Sequence, residues 1–250
     1  MQCPKCKAQQ TDGNAICERC GIVFEKYWKY HARAVGSEPA PYVTPARHPQ
    51  AAQDPGLRGL LFPKPTGTDP LATWARTALL VILSAWGLSL IGSSVASNSA
   101  GASFLHLINL PFHEAGHVLF RPFGEFIASL GGTLGQLLMP LIAMLALLLK
   151  TRDPFGASVA LWWFGENFID IAPYINDARA GTLPLLGGNF GHSAPYGFHD
   201  WEYLLTETGM LHLDHGLAQG SHLLGSLIML LALAWGAALV YRQFAAVRAA

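Results

Sequence analysis

Charge is scarce in this chain. Only 13% of its 250 residues are Asp, Glu, Lys or Arg, and 16 basic and 16 acidic side chains cancel to zero formal net charge. A soluble domain usually carries about twice that charged fraction, and a nucleic-acid binder needs a basic surplus that is missing here. Cysteine is absent after residue 20, so no disulfide framework can staple the rest of the chain. The opening residues do not read as a secretory signal, because Cys, Lys and Gln fill the place where an apolar core belongs. No internal repeat is visible.

What replaces charge is apolar sequence, 51% of the residues, gathered into blocks of membrane-spanning length. The first runs from Leu71 to about Ala96 and the second from about Ser103 to Phe120. In the second, Pro111 lies just before His113, where a helix would kink or restart. A third, Phe126 to Leu149, holds no charge. Its Gly131-Gly132-Thr133 and Gly135-Gln136 would permit close helix approach or a re-entrant start. A fourth runs from about Phe155 to Ile175 and a fifth from Leu223 to Tyr241. The expected fold is an α-helical integral membrane protein with about four to six membrane segments and a small N-terminal zinc ribbon. With the N-terminus inside and five crossings, Lys150, Arg152, Arg242 and Arg248 would fall outside, against the positive-inside tendency. A partly re-entrant third block would repair some of this.

The ribbon is expected from Cys3-Pro4-Lys5-Cys6 and Cys17-Glu18-Arg19-Cys20, two CxxC knuckles whose four thiolates complete a closed tetrahedral site for one structural Zn²⁺. Thiolate ligands point to a reducing compartment, placing the N-terminus in the cytoplasm and the chain in the plasma (inner) membrane. Residues 36–70 are rich in Pro, Ala and Gly and read as a flexible linker, either a tether that lets the ribbon reach a protein partner or a passive spacer. The expected organisation is therefore ribbon 1–35, linker 36–70 and membrane domain 71–250.

His113-Glu114-Ala115-Gly116-His117 carries the chemistry. Two imidazoles four residues apart lie on one helix face and can reach one catalytic Zn²⁺, with Glu114 placed to act as general base on water. Ionisable groups inside an apolar block are a functional signal in themselves. A catalytic zinc keeps three protein ligands and one open position, so a third ligand is needed. Glu166, Asn167, Asp170 and Asp177 gather at the end of the fourth block. Each acid there is a ligand or a helix-end charge. The polar stretch between the last two blocks adds His192, His199-Asp200-Trp201, His212-Leu213-Asp214-His215 and His222. His199 or Asp200 could cap the site from outside the membrane, although most such histidines are solvated or hydrogen-bonded. Trp201 and Tyr203 are interfacial anchors or substrate contacts.

With HEAGH in one apolar segment and Asn167, Pro173 and Asp177 in a later one, the chain resembles the site-2-protease class of intramembrane zinc metalloproteases over roughly Phe104 to Ala180. The family's Leu-Asp-Gly ending is replaced here by Ile175-Asn176-Asp177-Ala178. The resemblance implies metal-assisted hydrolysis of peptide bonds in membrane-protein substrates within the lipid bilayer. It implies Glu114 as the base, Asn167 at the substrate or oxyanion, and Asp177, then Asp170, as third ligand. A non-catalytic membrane protein that binds metal for sensing or assembly is the alternative.

Overall fold

The computed structural model describes residues 1–31, 56–65 and 69–249. The chain divides into two compact units, Met1–Gln53 and Asp54–Ala250. Among the described residues it is mostly helical, with three isolated β-bridges and no strand.

In the first unit, bridges Gln2↔Gln9 and Ile16↔Val23 close two small loops that each carry a CxxC pair. Both loops turn through a left-handed residue four positions after their first cysteine, Lys7 at φ 60° and Gly21 at φ 69°. In each, the amide of that residue donates to the first cysteine's carbonyl, at 3.0 and 2.9 Å. Helix α1 (Phe24–His31) follows, and Phe24 packs on buried Cys3 and Cys17. A hydrophobic core this small needs a staple of another kind.

The second unit comprises α2 (Gly56–Leu61), α3 (Pro70–Ile91), α4 (Phe104–Phe120), α5 (Glu125–Leu145, continued by a π-turn to Lys150), α6 (Pro154–Asn176), α7 (Asp200–Glu207) and α8 (Asp214–Ala249). Asp69 starts α3 by accepting the Leu71 amide at 2.9 Å, with Pro70 in the first turn, where a missing N–H costs nothing. Pro111 sits inside an uninterrupted α4, so the helix runs through it instead of restarting.

Helix α6 is the centre of this unit and packs against α8, α5 and α3. Trp162 and Ile169 of α6 meet Leu83 and Leu90 of α3 and Met229 and Ala232 of α8 in one buried cluster. Glycine sets the closest approaches. A Cβ on Gly165 of α6 would lie 2.8 Å from the Gly225 carbonyl oxygen of α8. Between α4 and α5, a Cβ on Gly116 or Gly135 would run into the Gly131 or Phe112 carbonyl oxygen respectively, and one on Gly131 would come within 2.8 Å of the Gly116 oxygen. Of the two roles open to the glycines of the third block, the structure shows close helix approach within one continuous helix.

Among the described residues, three helices are long and apolar enough to cross a membrane: Pro70–Ile91, Glu125–Lys150 and Leu211–Arg248. This is fewer than the four to six expected. The two remaining blocks do form helices, but α4 is only 17 residues long and α6 carries Glu166, Asn167 and Asp170 in its interior. The polar groups that make these two helices interesting lower their apolar character, and burial among neighbours replaces lipid contact along much of α6.

Residues 32–55 and 66–68 of the expected linker and its approach lie outside the described residues. The described part, however, is docked on α8. The Leu61 carbonyl accepts the Trp235 indole N–H at 3.0 Å, the Phe62 carbonyl accepts from Arg242 at 2.9 Å, and the Phe62 ring lies under the Arg242 guanidinium. The apolar Leu60-Leu61-Phe62 run provides the surface that Pro and Gly do not.

The α4–α5 contact predicts that Gly116→Ala lowers stability by about 1–3 kcal/mol through overpacking. Gly220→Ala, where a Cβ meets open space, is expected to be neutral or slightly stabilising. Thermal unfolding of the two variants in the same detergent distinguishes them, and equal melting temperatures would contradict the packing.

Candidate metal centre

Helix α4 carries His113 and His117 one turn apart, on the face that meets α5. Each ring is oriented by an acceptor on α5. His113 Nδ1 lies 3.1 Å from Gln136 Oε1 and His117 Nδ1 lies 2.8 Å from the Ala128 carbonyl oxygen. An amide or peptide oxygen only accepts, so both Nδ1 atoms donate. In neutral rings this leaves the Nε2 lone pairs free for a metal. The two Nε2 atoms converge over Gly132, where a Cβ would lie 2.5 Å from His113 Nε2 and 2.6 Å from His117 Nε2.

A carboxylate completes the convergence. Asp200 Oδ2 lies 3.1 Å from His113 Nε2 and 3.3 Å from His117 Nε2. Around a tetrahedral zinc with ligands at 2.0–2.1 Å, neighbouring ligand atoms stand about 3.3 Å apart. Three electron-rich atoms can share such a space only around a cation, either a metal or protons on the rings. Asp200 is itself fixed from three directions. Its Oδ1 accepts from Ser129 of α5 at 3.1 Å, its amide donates to the Tyr174 hydroxyl of α6 at 3.0 Å, and it opens α7, where the helix dipole favours an anion. Burial raises its pKa, but when the rings are doubly protonated the hydrogen bonds and charge of His113 and His117 more than offset this and bring it to about 2. His199 supports the turn by capping α7, its Nδ1 accepting the Glu202 amide at 3.2 Å, while its ring stacks on Tyr174.

The acids favoured as third ligand are placed elsewhere. Asp177 accepts the Thr182 and Leu183 amides at 2.9 and 2.8 Å and the Thr182 hydroxyl at 2.8 Å, which organises the loop after α6. Asp170 accepts from His106, Asn109 and Gln136 at 3.0, 3.0 and 2.8 Å, one residue removed from the imidazoles. Both are buried and both are committed to donors. Asn167 is also buried and gives its amide to the Trp163 carbonyl at 2.9 Å, so it does not face the site. His215 lies beside the Asp214–Arg179 ion pair, and neither His212 nor His215 belongs to a metal-like cluster among the described residues. The HEAGH motif thus located two of the converging imidazoles and the carboxylate beside them. Asp200 was legible as a residue that could cap the site together with His199, with no spacing to tie it to α4.

Glu114 stands with His113 and His117 in a group whose ligating atoms lie within 4.8 Å of one another. All three line a cavity of about 1340 Å³, bounded also by Tyr174, Asp200 and Leu183. The donor set of two imidazoles and one carboxylate, with an acid beside an open space, fits a zinc ion that keeps one position for water.

In the first unit the four cysteine sulfurs also lie within 4.8 Å of one another. Cys3–Cys20 and Cys6–Cys17 Sγ separations are 3.7 and 3.6 Å, far beyond a disulfide and close to the roughly 3.8 Å of a tetrahedral Zn–S₄ site. Burial raises the Cys3 thiol, but the Cys6 and Lys5 amides and the adjacent sulfurs outweigh it and bring it to about 6. For Cys20 the Ile22 amide lowers the pKa, yet burial and the other three sulfurs prevail and push it up to about 12. Crowded thiolates resist ionising together unless a divalent cation sits between them.

No protein-family model, curated protein or solved structure matches the chain. The site is therefore read from its own chemistry.

The geometry predicts two zinc equivalents per chain. Asp200→Ala should lose one, and so should Gly132→Ala, whose methyl would fill the space between the two Nε2 atoms. Asp177→Ala should keep both, and removing residues 1–35 should cost only the thiolate-bound equivalent. Zinc content of the purified proteins checks each case; an Asp200→Ala protein with two equivalents would refute the assignment.

Proposed function

We propose that this chain is a membrane-embedded zinc metallopeptidase that hydrolyses peptide bonds of membrane-associated substrates, as its HEAGH segment's resemblance to site-2 proteases implies. The observation that carries this reading is the convergence of His113, His117 and Asp200 with Glu114 alongside, on an open cavity. A purely structural zinc site would be closed by four protein ligands, as the cysteine cluster is.

Helices α4 and α6 complete the membrane domain in this proposal, giving five segments. Their polar side chains are turned toward one another and toward α5, the arrangement hydrocarbon surroundings require. The N-terminal unit belongs on the cytoplasmic side of the inner membrane, where its thiolates stay reduced, and serves as a structural or partner-binding module.

Zinc held by His113, His117 and Asp200 would supply a Lewis acid for the scissile carbonyl and acidify the attacking water. Glu114 takes the proton from that water and hands it to the leaving amine nitrogen. Tyr174, whose hydroxyl already meets Asp200, brings a second O–H to the cavity wall. The substrate segment unwinds before cleavage, because helical amides are already hydrogen-bonded.

The alternative, a metal-binding sensor or assembly protein, keeps the ion and dispenses with the base. Glu114→Gln is expected to retain both zinc equivalents and abolish cleavage, whereas His113→Ala loses the membrane-site zinc as well. If Glu114→Gln complements a gene deletion fully while His113→Ala does not, the peptidase reading is wrong and the sensor reading stands.

A further inference from the structure

A second polar cluster lies behind the site, and the function proposed above makes no use of it. It joins α4, α5 and α6 through Trp163, Asn109, Glu166, Asp170 and Gln136, and it ends on His113. Its hydrogen bonds have a direction that can be worked out from one end. The Trp163 indole can only donate, and its Nε1 lies 2.8 Å from Asn109 Oδ1. This fixes the Asn109 amide, whose Nδ2 then donates to Glu166 Oε2 and to Asp170 Oδ2, both at 3.0 Å. Asp170 Oδ2 also faces the Gln136 side chain at 2.8 Å, and Asp170 Oδ1 accepts from His106 at 3.0 Å. A carboxylate already taking two other donors presents an acceptor to Gln136, so Gln136 turns its NH₂ toward Asp170 and its oxygen toward His113.

We infer that Asp170 and Gln136 are positioning residues that set the tautomer of His113, holding its proton on Nδ1 and its lone pair on Nε2. The opposite orientation of Gln136 would aim an N–H at His113 Nδ1. That would force the ring proton onto Nε2, into the space shared with His117 and Asp200. His117 needs no such device, because its Nδ1 donates to the fixed Ala128 carbonyl. The two imidazoles of one motif are thus oriented by different means, one by backbone and one by a side-chain relay. The inference rests on the reading of His113 as a metal ligand, but the contacts of Gln136 with His113 and with Asp170 stand without metal.

The relay acts through acceptance, not through charge. Asp170→Asn can still place an amide oxygen against Gln136, whereas Asp170→Leu cannot. The test uses full-length protein in detergent, labelled with ¹⁵N at histidine side chains. Asp200 also faces both Nε2 atoms, so the tautomers are read in metal-free protein carrying Asp200→Ala, at a pH high enough to keep both rings neutral, where His113 and His117 should each carry the proton on Nδ1. Adding Gln136→Leu or Asp170→Leu to that background should turn His113 into a mixture of tautomers while His117 stays as it was. Asp170→Asn should leave both unchanged. Zinc affinity at this site, by chelator competition, should fall about 10- to 100-fold in the two Leu variants and stay near wild type in Asp170→Asn. A merely structural role would disturb His117 along with His113, and that result overturns the inference. So does an unchanged His113 in either Leu variant. Should wild type bind no zinc at His113 while the tautomers respond as stated, the metal reading fails and the positioning role stands.

Discussion

The backbones of α4 and α5 meet at Gly116, Gly131 and Gly135 with no side chain between them, and the position of each polar group in the site depends on that contact. At an ordinary interhelical distance the Ala128 carbonyl and Gln136 would not reach the imidazole Nδ1 atoms. Gly132 would not lie under both Nε2 atoms either. Small residues are the usual means of close approach where lipid offers no hydrophobic drive between helices. Here Gly131 and Gly135 pack the helices and Gly132 between them clears the space under the two Nε2 atoms, so packing and site draw on one stretch of sequence.

The interior behind the site is polar in a way that apolar surroundings normally forbid. Glu166, Asn167, Asp170, Asn109 and Gln136 are all buried, and most of their hydrogen-bonding atoms are matched across three helices. Glu166 Oε1 and Asn167 Oδ1 are exceptions without a partner. Burying such groups is costly unless they are paired, and the pairing explains why α6 sits at the centre of the unit and not at its rim. It also explains why α6 is less apolar than its neighbours.

Much of this was legible in the sequence, for identifiable reasons. The apolar blocks became α3 to α6 and α8 because each is long and uniform enough to dominate local preference. The two CxxC pairs came together because each knuckle is a local turn. HEAGH placed two imidazoles and a carboxylate because i and i+4 share a helix face. The carboxylate that meets the imidazoles was legible only as one of two residues that could cap the site. Asp177 caps the end of α6 and Asp170 lies inside it, but the amides of Thr182 and Leu183 and the side chains of Asn109 and Gln136 claim them first. Asp200 reaches the imidazoles through a chain reversal whose geometry is set by Tyr174, Ser129 and His199, three contacts that no periodicity announces. The docking of Leu61 and Phe62 on α8 was hidden in the same way, under a Pro- and Gly-rich composition.

Asp200 comes to the site from the short helix α7, across roughly eighty residues from His117, and closing so long a stretch of chain carries an entropic cost that any cation at the junction helps to meet. An ion bound there would work as a clasp between α4 and the segment that carries Asp200 over the cavity. Occupancy and enclosure would then be two descriptions of one equilibrium. A chain that has lost its ion would also have loosened its roof, and the supply of metal would set how often the cavity stands open.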